Sequence, residues 1–172
     1  MQFRFATALS VVSLALLGAC STPNVGASAR AELLARSGSA VAGTVSFSET
    51  DGRLRVVANV TGLTPGEHGF HVHEVGDCSA PDGTSAKGHF NPGGNAHGHF
   101  ASGDHHGGDL PSLLANAQGV ARYIAELRGL SLRGPTGVIG RSVVIHADAD
   151  DYTSQPAGNS GRRVACGVIV AY

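Results

Sequence analysis

The stretch Val41-Ala42-Gly43-Thr44-Val45-Ser46-Phe47-Ser48-Glu49-Thr50-Asp51-Gly52-Arg53-Leu54-Arg55-Val56-Val57-Ala58-Asn59-Val60 decides the fold class. Val41, Gly43, Val45 and Phe47 alternate with small or polar residues, and Leu54, Val56, Ala58 and Val60 repeat that period after Thr50-Asp51-Gly52. Successive side chains of a strand point to opposite faces, so a period of two gives each run one dry face and one wet face. An Asp-Gly pair between two such runs is a hairpin signal, because the tight turn needs positive φ at both of its central residues. Two antiparallel strands are expected here.

Working outward, His68–Glu74, Gly119–Leu127, Arg141–His146 and Val164–Ala171 are further strand candidates. Thr64-Pro65-Gly66, Asn91-Pro92-Gly93-Gly94 and Arg133-Gly134-Pro135 punctuate them as turns. No segment after residue 40 carries a helical period. Short strands with Gly/Pro punctuation predict an all-β antiparallel sandwich or barrel, without repeats or a second domain. The length of 172 residues fits one domain and a short extra segment. Hydrophobic residues at 42% against charged residues at 15% supply a buried core and exclude a disordered chain. The net charge of −1 offers no basic field for nucleic acid, and the absence of Trp argues against base stacking.

The chain opens on Met1-Gln2-Phe3-Arg4, an uncharged run from Phe5 to Leu17, and Gly18-Ala19-Cys20. A basic start, a short apolar run and small residues before a cut site read as an export signal over residues 1–19. A spanning helix needs ~20 apolar residues, and Ser21-Thr22-Pro23-Asn24 ends the run too early. Leu17-Gly18-Ala19-Cys20 resembles the bacterial lipobox, which implies that Cys20 is lipidated and becomes the mature N-terminus; ordinary signal cleavage is the alternative. The lipid would anchor the protein in a membrane. In a host with two membranes, Ser21 after Cys20 favours the outer one, facing the periplasm. Residues 20–38 read as the lipidated Cys and a flexible tether with one weak helical stretch, Arg30–Arg36, and residues 39–172 as the folded domain. Of three cysteines, lipidation of Cys20 leaves Cys78 and Cys166 in an oxidising compartment.

Residues 75–112 hold nine Gly, five His and almost no apolar run. A loop that long inside a compact domain needs something other than a hydrophobic core to fix it. His71 and His73 flank Val72 in a strand, so their imidazoles share a face. Alone, the pair reads as two surface histidines. Together with His89, His97, His106, Asp109 and the distant His146, it becomes a metal-ligand constellation, since imidazole suits copper and zinc and a His₃Asp set suits tetrahedral zinc.

The motifs Gly69-Phe70-His71-Val72-His73-Glu74, Gly88-His89-Phe90-Asn91-Pro92 and His106-Gly107-Gly108-Asp109-Leu110 closely resemble the copper,zinc superoxide dismutases. So do Gly140-Arg141-Ser142-Val143-Val144-Ile145-His146-Ala147 and Gly161-Arg162-Arg163-Val164-Ala165-Cys166-Gly167-Val168-Ile169. The likeness covers about residues 40–172, in order. It implies a Greek-key β-sandwich, a flattened eight-stranded barrel with long metal-binding and electrostatic loops. It implies one copper and one zinc per subunit: copper on His71, His73, His89 and His146, and zinc on His89, His97, His106 and Asp109, with His89 bridging the metals. The implied reaction turns superoxide into O₂ and H₂O₂ by cycling of the copper and protects the cell envelope. The resemblance implies His89 and Arg163 as the catalytic residues, His89 carrying a proton and Arg163 attracting the anion. Asp150 resembles the carboxylate that orients one ligand of each metal, and Cys78 with Cys166 the family's disulfide.

His99 and His105 fit no motif and are expected to be exposed, at most adventitious metal contacts; Arg162 is expected to point away from the site, and His68 to bond to backbone. The rival readings are a copper-handling protein and an inert structural lipoprotein. Both are disfavoured by a complete set of six His, Asp109 and Arg163. One departure bears on steering: Asp151–Ser160 carries no Lys or Glu, and Lys87 is the only Lys of the chain. Superoxide is the expected partner, and a homodimer is among the arrangements left open.

Overall fold

The computed structural model describes residues 28–172, and the export signal, Cys20 and the first part of the expected tether lie outside them. Ten strands follow in order: β1 Ser28–Ala35, β2 Ala42–Thr50, β3 Arg53–Thr61, β4 Gly66–His68, β5 Phe70–His73, β6 Leu113–Ala115, β7 Ala121–Leu127, β8 Ser142–His146, β9 Arg163–Val168 and β10 Val170–Ala171. The one helical piece among the described residues is a 3₁₀ turn at Thr84–Ala86. The hairpin forms as its sequence dictates. Thr50 pairs with Arg53, and Asp51 and Gly52 take φ of 52° and 69° in a two-residue turn.

The strands β5-β8-β9-β1-β2-β3-β7 hydrogen-bond in that order, β10 adds to β1, and β4 with β6 makes a separate pair. Every pairing is antiparallel. Neighbours distant in sequence, such as β5 with β8 and β9 with β1, give the curled eight-stranded sheet its Greek-key character. Phe47, Leu54, Phe70, Leu113, Ile145 and Ile169 fill its interior.

One expectation is corrected. Residues 28–35 form β1, not the latter part of a tether with a helical stretch. Ala29, Ala31 and Leu33 are buried while Arg30, Glu32 and Leu34 are exposed, a strand alternation. Small Ala residues obscure that alternation in the sequence, because Arg-Ala-Glu-Leu-Leu-Ala-Arg also favours a helix locally. Tertiary pairing decides: β1 lies between β2 and β9, matching Leu33 to Gly43 and Leu34 to Cys166. The domain therefore includes residues 28–38.

The Gly-rich segment is also less bare than its composition implies. Phe90 and Leu110 enter the main core. Its ends pair along the free edge of β5, with Phe90 N donating to Val72 O at 2.8 Å and Val72 N to Gly108 O at 2.9 Å. Its start is bonded to β9 by the Cys78–Cys166 disulfide, with Cα atoms 5.7 Å apart.

Candidate metal centre

The site stands on the outer face of the β5–β8–β9 wall. Phe70 and Val72 point into the main core, so His71 and His73 emerge on the opposite face. Val143 and Ile145 of β8 likewise point inward. A register shift between Ile145 and His146 sets His146 opposite Arg163 of β9, the kind of bulge that re-aims a side chain. Backbone bridges His73–His89 and His71–Asp109 lay the Gly-rich segment against the same edge.

Two buried clusters result. His71, His73, His89 and His146 form one, and His89, His97, His106 and Asp109 the other; within each, one ligand atom per residue lies within 4.8 Å of the rest. His89 belongs to both.

The imidazole nitrogens divide into two sets. His71 Nδ1, His73 Nε2, His89 Nε2 and His146 Nε2 are buried without a hydrogen-bond partner, as are His97 Nδ1 and His106 Nδ1. Buried polar atoms are normally satisfied, so six orphans converging on two points mark places for cations. Opposite nitrogens are held: His71 Nε2 by Asp150 Oδ2 at 2.6 Å, His97 Nε2 by Asp150 Oδ1 at 2.8 Å, His73 Nδ1 by the Lys87 carbonyl at 2.9 Å, and His146 Nδ1 by the Gly161 carbonyl at 3.1 Å. His89 Nδ1 lies 2.8 Å from Asp109 Oδ1. This donor set fits two metal ions: the free nitrogens are candidate ligands, the bonded nitrogens of His71, His73, His97 and His146 fix ring orientation, and His89 Nδ1 faces the second cluster beside Asp109.

Electrostatics suit the same purpose. Burial, and then the neighbouring histidines, hold the His71 and His73 pKa well below the ordinary value. Burial lowers His146 to about 4, and burial lowers His106 despite the attraction of Asp109. These imidazoles are neutral at pH 7, the form that ligates. Burial works against the Asp109 carboxylate, yet the His89 hydrogen bond and the His89 charge bring it to about 2.

Arg163 is half-buried and fixed, its Nη1 donating to Gly83 O at 2.7 Å and its Nη2 to Lys87 O at 2.6 Å. Its charge disfavours protonation of His73 and His146. Arg162 points away, to Ser37 O at 3.0 Å. His99 is exposed and His105 half-buried, both outside the clusters. His68 is buried against backbone, 2.8 Å from both His146 O and Thr64 O.

Sequence reasoning missed four supports. Backbone carbonyls of Lys87 and Gly161 leave no signature in side-chain pattern, and Gln155 lies in a loop with no motif. Arg36 is the fourth: its guanidinium donates to Cys78 O while Ser37 N donates to Pro81 O at 2.8 Å, so the β1–β2 turn grips the disulfide loop.

An antiparallel Greek-key sheet carrying two buried clusters of possible metal ligands, with His89 in both, defines a candidate metalloprotein with two adjoining sites. The copper/zinc superoxide dismutase (SODC) family model matches residues 41–169. Along 99% of both chains, the sequence is 44% identical to a superoxide dismutase [Cu-Zn] of Deinococcus radiodurans. It is also 44% identical to a superoxide dismutase [Cu-Zn] of Paramecium bursaria Chlorella virus 1, over 75% of this chain and 72% of that one. The crystal structure of the clock protein EA4 superposes with a TM-score of 0.78 at 41% identity, covering 84% of this chain and 94% of that one. The chain belongs to the copper/zinc superoxide dismutase family, and it is an enzyme of that type with one copper and one zinc as cofactors.

Proposed function

We propose that the four-histidine cluster, His71, His73, His89 and His146, holds the copper, and that His89, His97, His106 and Asp109 hold the zinc, with His89 bridging the two. Membership of His89 in both clusters carries this reading. The assignment follows ligand chemistry: a His₃Asp set suits tetrahedral zinc, and imidazoles alone suit copper. Copper held there would supply one-electron chemistry toward superoxide, whereas zinc would supply none.

The chain's own residues then do three things. Arg163 presents a fixed cation at the four-histidine cluster and draws the superoxide anion there. His89 Nε2 is the atom at which the chain holds a proton for the product. Asp150 orients His71 and His97 together, one ring from each cluster.

This enzyme is proposed to protect the cell envelope from extracytoplasmic superoxide, exported by residues 1–19 and anchored by lipid on Cys20 in the outer membrane facing the periplasm. The sequence Leu17-Gly18-Ala19-Cys20 supports that placement. Radiolabelled palmitate incorporated by the parent and lost in Cys20→Ala tests it. A homodimer through exposed Leu34, Val170 and Tyr172 completes the reading; sedimentation of the parent beside Val170→Asp tests that part.

The metal assignment is tested by metal analysis of two variants. His146→Ala is expected to lose copper and keep zinc, and His106→Ala the reverse. Loss of the same metal from both would contradict it.

A further inference from the structure

The loop Asp151–Ser160 lacks the charges expected of a steering element, but it makes a specific contact with the zinc-side cluster. The side-chain amide of Gln155 takes both backbone groups of His97: His97 N donates to Gln155 Oε1 at 2.9 Å, and Gln155 Nε2 donates to His97 O at 2.9 Å. These two bonds imitate one rung of an antiparallel ladder between segments 58 residues apart. They matter because His97 sits in an irregular stretch with no strand of its own.

The loop that delivers Gln155 is stiff. Asp151 Oδ1 accepts from Thr153 N at 2.9 Å and Ser154 N at 2.7 Å, and Gly158 N donates to Ser154 O at 2.7 Å. Gly158, at φ +65°, lies directly over the Asp150–His97 bond, and a Cβ there would collide with Asp150 Oδ1 and His97 Nε2. His97 is therefore held at its ring by Asp150 and at its backbone by Gln155, while its buried Nδ1, without a hydrogen bond, faces Asp109 Oδ2 at 3.0 Å.

We infer that Gln155 is a positioning residue for the zinc, clamping the His97 backbone so that Nδ1 stays aimed at the cluster. The short loop thus serves zinc retention. The inference rests on the assignment of His97 as a zinc ligand.

Three readouts on the copper- and zinc-loaded protein test it: zinc transfer to a colorimetric chelator, the visible spectrum of cobalt(II) placed in the zinc position, and melting temperature with and without metals. Gln155→Ala removes both bonds, and Gln155→Glu keeps the acceptor but loses the N–H₂ donor. Partners that orient ligands commonly contribute 10–100-fold in metal affinity, so zinc release about 10-fold faster is expected in Gln155→Ala. Faster release than the parent is expected in Gln155→Glu too. Both variants should alter the cobalt bands and lower the melting temperature more in the loaded protein than in the metal-free one.

Release within twofold of the parent, unchanged cobalt bands, or an equal melting loss with and without metal overturns the clamp. A His97→Ala variant that keeps its zinc as tightly as the parent overturns the ligand assignment and the clamp with it.

Discussion

His73 and Arg163 share one acceptor: the Lys87 carbonyl takes a 2.9 Å bond from His73 Nδ1 and a 2.6 Å bond from Arg163 Nη2. The orientation of one ring of the four-histidine cluster and the position of the neighbouring guanidinium are thereby fixed at one backbone atom. Lys87 holds φ 65°, a conformation unusual for a residue with a side chain. Its segment is bound to β9 by the disulfide and gripped by the Arg36 turn.

Arg163→Ala should retain both metals, because Arg163 ligates neither, and should lower the superoxide decay rate. A local cation that steers an anionic substrate contributes ~10–10³-fold in association rate. Decay measured against ionic strength checks this: the parent slows as salt rises, and the variant should respond less.

The residues that gather in the two clusters were legible in the sequence and their suspension was not. His71-Val72-His73, His89, His106-Gly107-Gly108-Asp109 and His146 stand in motifs because only particular side chains at particular spacing can present ring nitrogens and a carboxylate together. The Asp51-Gly52 hairpin was legible for a similar reason, since its backbone needs residues that tolerate positive φ. β1 was not, because small Ala residues carry little hydrophobic contrast and partner strands 10 or more positions away decide its state. Lys87 O and Gly161 O act as backbone atoms, and any residue offers the same carbonyl.

A chain that begins at Ser39 should fail to fold. It would lack β1, which pairs with β2, β9 and β10 and supplies buried Ala29, Ala31 and Leu33. Circular dichroism melts of chains starting at Ser28 and at Ser39 check this; a cooperative transition for the first and none for the second is expected.

Asp150 accepts from His71 at 2.6 Å and from His97 at 2.8 Å, so Asp150→Ala should weaken both metals at once. The expected loss is ~10–100-fold in affinity for each. Chelator competition, read separately for copper and zinc, checks the coupling.

The metal-free protein should lose stability as pH falls through the histidine range. The folded-state pKa values of His71, His73 and His146 lie below their unfolded values, so the unfolded chain binds more protons as pH drops below about 6.5. Stability is full above that pH and declines toward pH 4. His146, lowered to about 4, accounts for about 3 kcal/mol of the loss. Asp109, at about 2, adds a further decline below pH 4. Urea melts at pH 7.5, 5.5 and 4 check the direction.

Replacing Cys78 and Cys166 by Ser should lower stability and activity together. The bridge closes a loop of 88 residues, for which chain entropy gives at most about 4–5 kcal/mol. Its release also frees the segment carrying Gly83 O and Lys87 O, the two acceptors of Arg163. Full activity in the double variant at low temperature would show that Arg163 is held without the bridge.

Superoxide decay, followed after pulse generation with the copper- and zinc-loaded protein and its His146→Ala variant, is the decisive measurement. Decay approaching the diffusion ceiling of ~10⁸–10⁹ M⁻¹s⁻¹ is expected for the parent, and its loss in the variant. Slow decay by a parent protein that carries both metals would contradict the proposed function.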